Sequence, residues 1–392
     1  MSHALGGIRI ADFSHVMAGP YATHLLRLLG AEVIKIESPG RGDAMRDYGS
    51  DRRYDGMSPA FIAVNAGKKS IVLDLKLPRD LEIARDIVAR SDVLVENFRP
   101  GVMTRLGLGQ EAMRALNPRL IYCSVSGYGQ SGPRRDWTAI DNIVQATSGM
   151  MSLGGDPGTP PARVGFPVVD TLTGQTAAFA ILSALLQRER GGDPAGGGDF
   201  IDVAMFDATL AFMASAAVPW LVTGRALERT GNTGYSGQPT SALFVARDGR
   251  RISLGVVQQH QFVVLARVLG HEEWLRQPGF ADPESRRNNA QTVMAALSTV
   301  FAQRDAIEWE QLLSAAGIPC GMVREIGEAV SLSGLQDRQL LLPLTIPGLP
   351  QCEQVHVLGT GFLAGRGIDT SPGAPPRPDQ HRQEILDWIA SE

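Results

Sequence analysis

The chain has 392 residues, 44% of them hydrophobic and 20% charged, which is the composition of a folded protein of two or three domains and excludes a disordered one. A formal net charge of -4 and a pI near 6.0 exclude the basic footprint of a nucleic-acid or anionic-membrane binder, so an anionic ligand must be held by local groups. Three widely spaced cysteines, Cys123, Cys320 and Cys352, supply neither a disulfide framework nor a CxxC metal site.

The first run, MSHALGGIRIADF, has no basic start and no long apolar stretch, so a signal peptide is not expected and a reducing cytoplasm fits. Strand and helix signals then alternate: GIRIADF (strand), GPYATHLLRLLG (helix closed by Gly30), AEVIKIE and KSIVLDL (strands), LEIARDIVARS (helix), DVLVENF and RLIYCSVSGYG (strands). That order predicts an α/β fold with a doubly wound, Rossmann-like sheet, whose ligands bind beyond the carboxyl ends of the strands.

Next comes GFPVVDTLTGQ, residues 165–175, in which Asp170 stands between an apolar, Pro-containing strand and a Gly-containing turn that opens the run TAAFAILSALLQ. A helix cap accounts for a carboxylate there, and so does a reacting group oriented by backbone N–H groups at a strand-to-helix turn. The segment 203–224 is long enough to span a bilayer, but Asp207 and Pro219 interrupt it, so a buried core helix is expected. From about residue 225 to 335 a hairpin with its turn at Asp248-Gly249 and several helices, including NNAQTVMAALSTVFAQR and AIEWEQLLSAAG, predict a smaller α+β domain. The predicted organisation is a large α/β domain over 1–200, a connecting helix over 201–224, the small domain over 225–335 and a return segment over 336–392.

Several chemistries are disfavoured. The turn DFSHVMAGPYAT carries no GxGxxG, no histidines occur in HExxH spacing, SVSGYGQSG supplies no GxSxG elbow, and the GGG at 196–198 is not followed by Lys-Ser/Thr. No metal site is expected. Gly19 and Pro20 open a helix whose free N–H groups suit an anion, and His15 in the same loop is a base or a polar contact.

Seven ordered runs carry a resemblance: DFSHVMAGPYATHLLRLLGAEVIKIE, NAGKKSIVLDLK, ENFRPGVMTRLGLG, NPRLIYCSVSGYGQSGP, VVDTLTGQ, AGIPCGMV and PDQHRQEIL. Across nearly the whole chain they resemble the class III CoA-transferases, the CaiB/BaiF family of formyl-CoA transferase and carnitine CoA-transferase. The resemblance implies that Asp170 is the catalytic aspartate and that Val16, Ala18, Leu73, Lys76, Asn97, Phe98 and Arg105 contact CoA, with Lys76 and Arg105 meeting phosphates. It also implies substrate or loop roles for His15, Met17, Asp141, Gly234, Gly237 and Gln238. The implied partners are an acyl-CoA, a small carboxylic acid and a second copy of the chain interlocked with the first, with no nucleic acid and no membrane. CoA thioesters are then substrates, and no cofactor is permanently bound.

This chain departs from the family pattern at four places. Met17 replaces a Gln, Ser38 an Arg, and Tyr235 and Ser236 replace glycines in the loop GYSGQP, residues 234–239. Ile140 stands where the related α-methylacyl-CoA racemases have a histidine base, which leaves a two-base racemase as the second reading. A loop cluster of Arg46, Arg52 and Arg53 suggests a short dicarboxylate such as succinate.

Overall fold

The computed structural model describes residues 3–49, 54, 57–191, 197–346, 349, 355–364 and 367–391. Contacts divide the chain into two compact units, one made of Met1–Met150, Arg163–Gly224 and Ser333–Glu392 and the other of Met151–Ala162 and Arg225–Leu332. Residues 151–162, read in sequence as part of the large domain, belong with the second unit, where the Thr159 carbonyl accepts a 2.7 Å bond from Arg229 Nη1.

In the first unit the elements run β1 (Arg9–Asp12), α1 (Ala18–Leu28), β2 (Glu32–Glu37), α2 (Pro59–Asn65), β3 (Lys69–Val72), α3 (Pro78–Ala89), β4 (Val93–Glu96), α4 (Val102–Arg105), α5 (Gln110–Leu116), β5 (Ile121–Ser126) and α6 (Asp141–Thr147). After the single turn α7 (Met150–Leu153), which passes into the second unit after Met150, come α8 (Val168–Arg190), β6 (Asp199–Ala204), α9 (Met205–Phe212) and α10 (Ala214–Thr223). The six strands form one parallel sheet in the order β3-β2-β1-β4-β5-β6. A central strand of a parallel sheet is buried on both faces, as β5 is along its whole length. Ile10, Val33, Val93 and Ile121 pack on one face with Ala22 and Leu26 of α1 and Ile181 of α8, while Ile34, Ile71, Leu94 and Tyr122 pack on the other with Ile87 of α3. Strand order reverses between β1 and β4, so the loops after those two strands flank a crevice at the carboxyl edge.

Two local expectations are corrected. Val168 and Val169 are not a strand and Thr171–Gln175 is not a turn; all lie in the 23-residue α8, with Asp170 in its first turn. Gly174 reads as a turn residue but serves a helix crossing: a Cβ there would meet the Ala18 carbonyl oxygen at 2.6 Å and Tyr21 Cδ1 at 2.9 Å. The close approach of α1 and α8 requires glycine at this point despite its cost of roughly 1 kcal/mol in a helix interior. Nor is 201–224 a single helix. It is the end of β6 followed by α9 and α10, bent by 79° where Met213 leaves helical dihedrals at ψ 24. Helix α8 is itself long and apolar enough to cross a membrane, and half of that stretch is buried within the unit.

In the second unit β7 (Leu243–Val245) and β8 (Arg251–Leu254) form the expected hairpin, with Gly249 at φ +78 in its turn. The unit continues with α11 (Gln259–Leu269), α12 (Pro283–Asn288), α13 (Ala290–Phe301), α14 (Ala306–Ala315), β9 (Cys320–Met322) and α15 (Ile326–Val330). Its antiparallel sheet, ordered β7-β8-β9, covers a core of Phe244, Ile252, Phe262, Phe301 and Trp309.

The chain then returns to the first unit. An antiparallel pair, β10 (Leu341–Leu344) and β11 (Val355–Leu358), packs Leu342 and Val357 against Phe61 and Ile62 of α2. Helix α16 (Arg382–Ser391) follows. The segment before it covers β3, the edge strand: Ser70 N donates to His381 Nδ1 at 3.1 Å, Val72 N to Asp379 Oδ1 at 2.8 Å and His381 N to the Ser70 carbonyl at 3.0 Å.

Candidate active site

The loop after β1 is built on a cluster of buried charges. Asp12, at the end of β1, accepts from Ser14 N at 3.0 Å, Thr23 Oγ1 at 2.7 Å and Lys68 Nζ at 3.0 Å. Lys35 Nζ lies 2.8 Å from Asp43 Oδ2 and donates to the Ser14 carbonyl at 2.7 Å. Burial raises the Asp43 carboxyl, but the Lys35 charge and the bonds from Met45 N and Val16 N outweigh it and hold the group below its usual range. Asp12 is held low in the same way, burial being outweighed chiefly by Lys68 and Lys35.

This cluster fixes an unusual backbone. Val16 has φ +67, a left-handed conformation that a β-branched residue adopts only when its surroundings impose it. Its N–H donates to Asp43 Oδ1 at 3.0 Å. On the neighbouring residue, His15 N donates to Asn97 Oδ1 at 2.8 Å and Asn97 Nδ2 donates to the His15 carbonyl at 2.7 Å, so the loops after β1 and β4 are tied across the crevice. The His15 ring stands edge-on to Phe98 with centroids 5.3 Å apart, and burial, reinforced by Lys35, lowers its pKa.

A cavity of about 620 Å³ opens at this edge. Val16, Met17, Ala18, Asn97 and Phe98 line one side of it; Ile140, Asp141 and Asp170 line the other. Helix α1 starts at Ala18 with no side-chain cap, leaving free N–H groups and the positive end of the dipole at the cavity wall.

Asp170 is not the cap of α8. That role falls to Asp141, whose Oδ2 accepts from Val169 N at 2.7 Å and Asp170 N at 3.1 Å, while its Oδ1 accepts from Gln145 Nε2 at 2.6 Å. The Asp170 main chain is therefore fixed, but its carboxylate accepts no hydrogen bond from any described residue. This corrects the expectation that backbone N–H groups orient the carboxylate itself. Burial first, and the Asp141 charge second, push its pKa up from 3.8 to about 7. The arrangement yields a poorly solvated, unpartnered carboxylate facing a cavity, which is a competent nucleophile once ionised.

Of the other residues singled out in sequence, Leu73 is 1% exposed and belongs to the core, and Lys76 and Arg105 are exposed and do not line the cavity. Arg46 is committed elsewhere: it bonds Glu37 through Nε at 2.8 Å and Nη2 at 2.6 Å, bonds the Pro376 carbonyl at 3.0 Å and stacks on Phe61. It is not free to read a substrate carboxylate, and Arg52 and Arg53 lie outside the described residues, as does Cys352. In the second unit, Gly234 N donates to the Ser241 carbonyl at 2.6 Å and Gly237 turns at φ +65. Gln238 is 1% exposed and donates to the Pro283 carbonyl at 3.0 Å, which anchors the loop. Among the described residues no cluster of His, Cys, Asp and Glu is arranged to hold a metal ion.

Sequence reasoning missed Arg99, Arg135 and Arg163, three exposed arginines on the cavity wall, and the exposed rings of Tyr48, Trp137 and Phe166 beside them. The available signal was the loop RRDW at 134–137, basic residues next to a Trp in a turn after a strand, with Arg134 lying 5.3 Å over the Trp137 ring.

Comparison with known proteins agrees with this geometry. The family described as CoA-transferase family III matches residues 5–382. The chain is 41% identical over 391 residues to the acetyl-CoA:oxalate CoA-transferase of Acetobacter aceti, covering 98% of this chain and 96% of that one. It is 32% identical over 382 residues to the succinyl-CoA–D-citramalate CoA-transferase of Chloroflexus aurantiacus, covering 97% and 93%. Among solved structures, a CaiB/BaiF family protein from Brucella suis superposes with a TM-score of 0.88 at 29% identity over 99% of this chain and 100% of the other. The chain thus belongs to CoA-transferase family III and is an enzyme that moves CoA from an acyl-CoA to a carboxylic acid.

Proposed function

We propose that Asp170 is the covalent nucleophile of this transfer. The observation that carries the reading is the unpartnered Asp170 carboxylate, raised to about 7 and facing the cavity. The ionised carboxylate attacks the donor thioester carbonyl and expels CoA thiolate, giving a mixed anhydride. The thiolate attacks the aspartyl carbonyl of that anhydride, the donor acid leaves, and an aspartyl-CoA thioester remains. The acceptor carboxylate attacks the thioester and again expels the thiolate, which then attacks the acceptor's acyl carbon and returns Asp170 as a free carboxylate. A thioester is exchanged for a thioester throughout, so positioning and oxyanion stabilisation are the whole task. The free N–H groups at the start of α1, on the wall of the same cavity, are the donors this reading assigns to the oxyanion.

In this reading Val16, Ala18, Asn97 and Phe98 hold the pantetheine arm. Arg99 on the wall, together with Lys76 and Arg105 exposed at the same edge of the sheet, meets the phosphates. Succinyl-CoA is a candidate donor, supported by its place in the names of relatives such as the Chloroflexus enzyme. The enzyme is taken to be a cytoplasmic homodimer with interlocked chains. Exposed Phe179 and Leu186 on α8 and Trp220, Leu221 and Val222 on α10 support a partner surface. Light scattering at micromolar concentration checks this, with a dimer expected and a monomer overturning it.

Asp170→Ala abolishes transfer while CoA still binds. Incubation of the native enzyme with acyl-CoA followed by hydroxylamine modifies Asp170, located by peptide mass spectrometry. An unmodified Asp170 together with a fully active Asp170→Ala enzyme overturns the mechanism.

A further inference from the structure

A second cavity, of about 420 Å³, shares Met17 and Phe166 with the cavity that Asp170 faces, and Thr171, the next residue after Asp170, also lines it. Its walls come from α1 (Tyr21, His24, Leu25), α2 (Ile62, Ala63) and β11 (His356, Val357). Most of this lining is apolar. Within it His24 is 1% exposed, and neither ring nitrogen meets hydrogen-bond geometry with a described residue, although the Leu358 backbone lies near enough to favour the protonated ring. Burial, with the charges of Lys68 and Arg27 adding to it, lowers the ring's pKa to about 3. The imidazole is therefore neutral, with one N–H to give and one lone pair to receive. A buried polar ring left unpaired is unfavourable, and its place in a cavity that adjoins the reacting carboxylate points to a ligand that pairs it.

We propose that this second cavity receives the far end of the substrate acid: an acyl chain of several carbons, apolar along its length, whose distal hydroxyl, carbonyl or carboxylate pairs with His24. Met17, unbranched and adaptable, and the exposed Phe166 stand where the two cavities meet and bound the path of the chain. Arg46 is sequestered by Glu37, so recognition of the distal group falls to an imidazole rather than a guanidinium. The inference rests on Asp170 being the reacting carboxylate.

The test is a series of acceptors with acetyl-CoA and succinyl-CoA run in parallel as donors: oxalate, glutarate, hexanoate and 6-hydroxyhexanoate. It compares wild type with His24→Leu, which keeps volume and removes the unpaired nitrogens, and with Ala63→Phe, which fills the cavity from an exposed position. In wild type the acids with a distal polar group are expected to exceed both hexanoate and oxalate in kcat/KM. His24→Leu is expected to lower the ratio of glutarate or 6-hydroxyhexanoate to hexanoate about five- to tenfold, through KM, the scale of one neutral hydrogen bond. Ala63→Phe should lower the ratio of the longer acids to oxalate at least as much. Equal loss for glutarate and 6-hydroxyhexanoate assigns His24 to any distal oxygen, and loss for glutarate alone assigns it to a carboxylate. Hydroxylamine trapping at Asp170 from acyl-CoA alone accompanies each variant: absent trapping in wild type refutes the nucleophile. Trapping with ratios unmoved within twofold, or a wild-type preference for oxalate over every longer acid, means that the cavity holds only water and overturns the inference.

Discussion

Within one unit, at the same edge of the same sheet, a buried carboxylate and a half-buried one are treated in opposite ways. Asp12 is surrounded by donors from Ser14, Thr23 and Lys68 and is held far below its usual pKa. Asp170 has its main chain fixed by Asp141, no donor on its carboxylate, and a pKa raised to about 7. Burial pushes both upward, so burial does not decide which is reactive; the supply of partners does. Asp12 spends its charge holding a loop in place, whereas Asp170, the proposed nucleophile, keeps its lone pairs free of donors. Each arrangement can be perturbed by a single substitution.

The largest effect on stability is expected from Lys68→Met. It leaves Asp12 buried beside one less cation, and breaking a buried pair by removing one partner costs about 3–5 kcal/mol. Urea unfolding at pH 7 measures it, and a loss below about 1 kcal/mol would mean that Lys35 and the hydroxyls suffice to hold the carboxylate.

Asp170→Asn is expected to act in the opposite direction. The folded-state pKa of about 7 lies above the usual 3.8, so the unfolded chain gives up this proton first and ionisation favours unfolding as pH rises from 4 to 7. The cost is complete above pH 7 and absent below pH 4. The Asn variant should therefore be more stable than wild type at pH 8, by on the order of 2 kcal/mol after allowance for partial solvation, and equal to it at pH 4. Paired melts at the two pH values check this.

The smallest effect is kinetic. In the proposed mechanism attack on the thioester needs ionised Asp170, so kcat/KM for the acyl-CoA should rise with pH through about 7. Asp141→Asn keeps an acceptor for the amides of Val169 and Asp170 but removes the neighbouring charge, and should move that limb to lower pH. Because burial is the larger cause of the shift, the limb should not return to the ordinary carboxylate range. An unmoved limb would assign the whole shift to burial.

The sheet was legible because its strands are short, mostly apolar runs, such as VLVE over 93–96 and IYCSVS over 121–126, punctuated by Gly and Pro. The candidate site was legible only in part. Asp170 stood out, but Pro167 and Gly174 read as punctuation when one precedes a helix and the other lets two helices touch. The second requirement comes from a partner more than a hundred positions away and leaves no local mark. The bend at Met213 was hidden for a similar reason, since the residues around it are apolar on both sides of the break. The cavity arginines were missed because Arg99, Arg135 and Arg163 come from separate loops that converge only when the strands align. His24 lies inside the run GPYATHLLRLLG, read in sequence only as a helix, and the cavity it lines forms where β11 comes beside α1.

The covering of β3 by residues 379–382 has a consequence for synthesis. Strand β3 pairs on one side with β2, and its other side is satisfied by groups near the end of the chain, which alone supply bonds to Ser70 N and Val72 N. A nascent chain that has completed β1 to β6 still presents a bare β-edge while Arg225–Leu332 of the second unit is being translated. That interval is when intermolecular strand pairing threatens. Truncation before Asp379 would make the exposure permanent, so a chain released at that point is an aggregation-prone product rather than a slightly shortened enzyme.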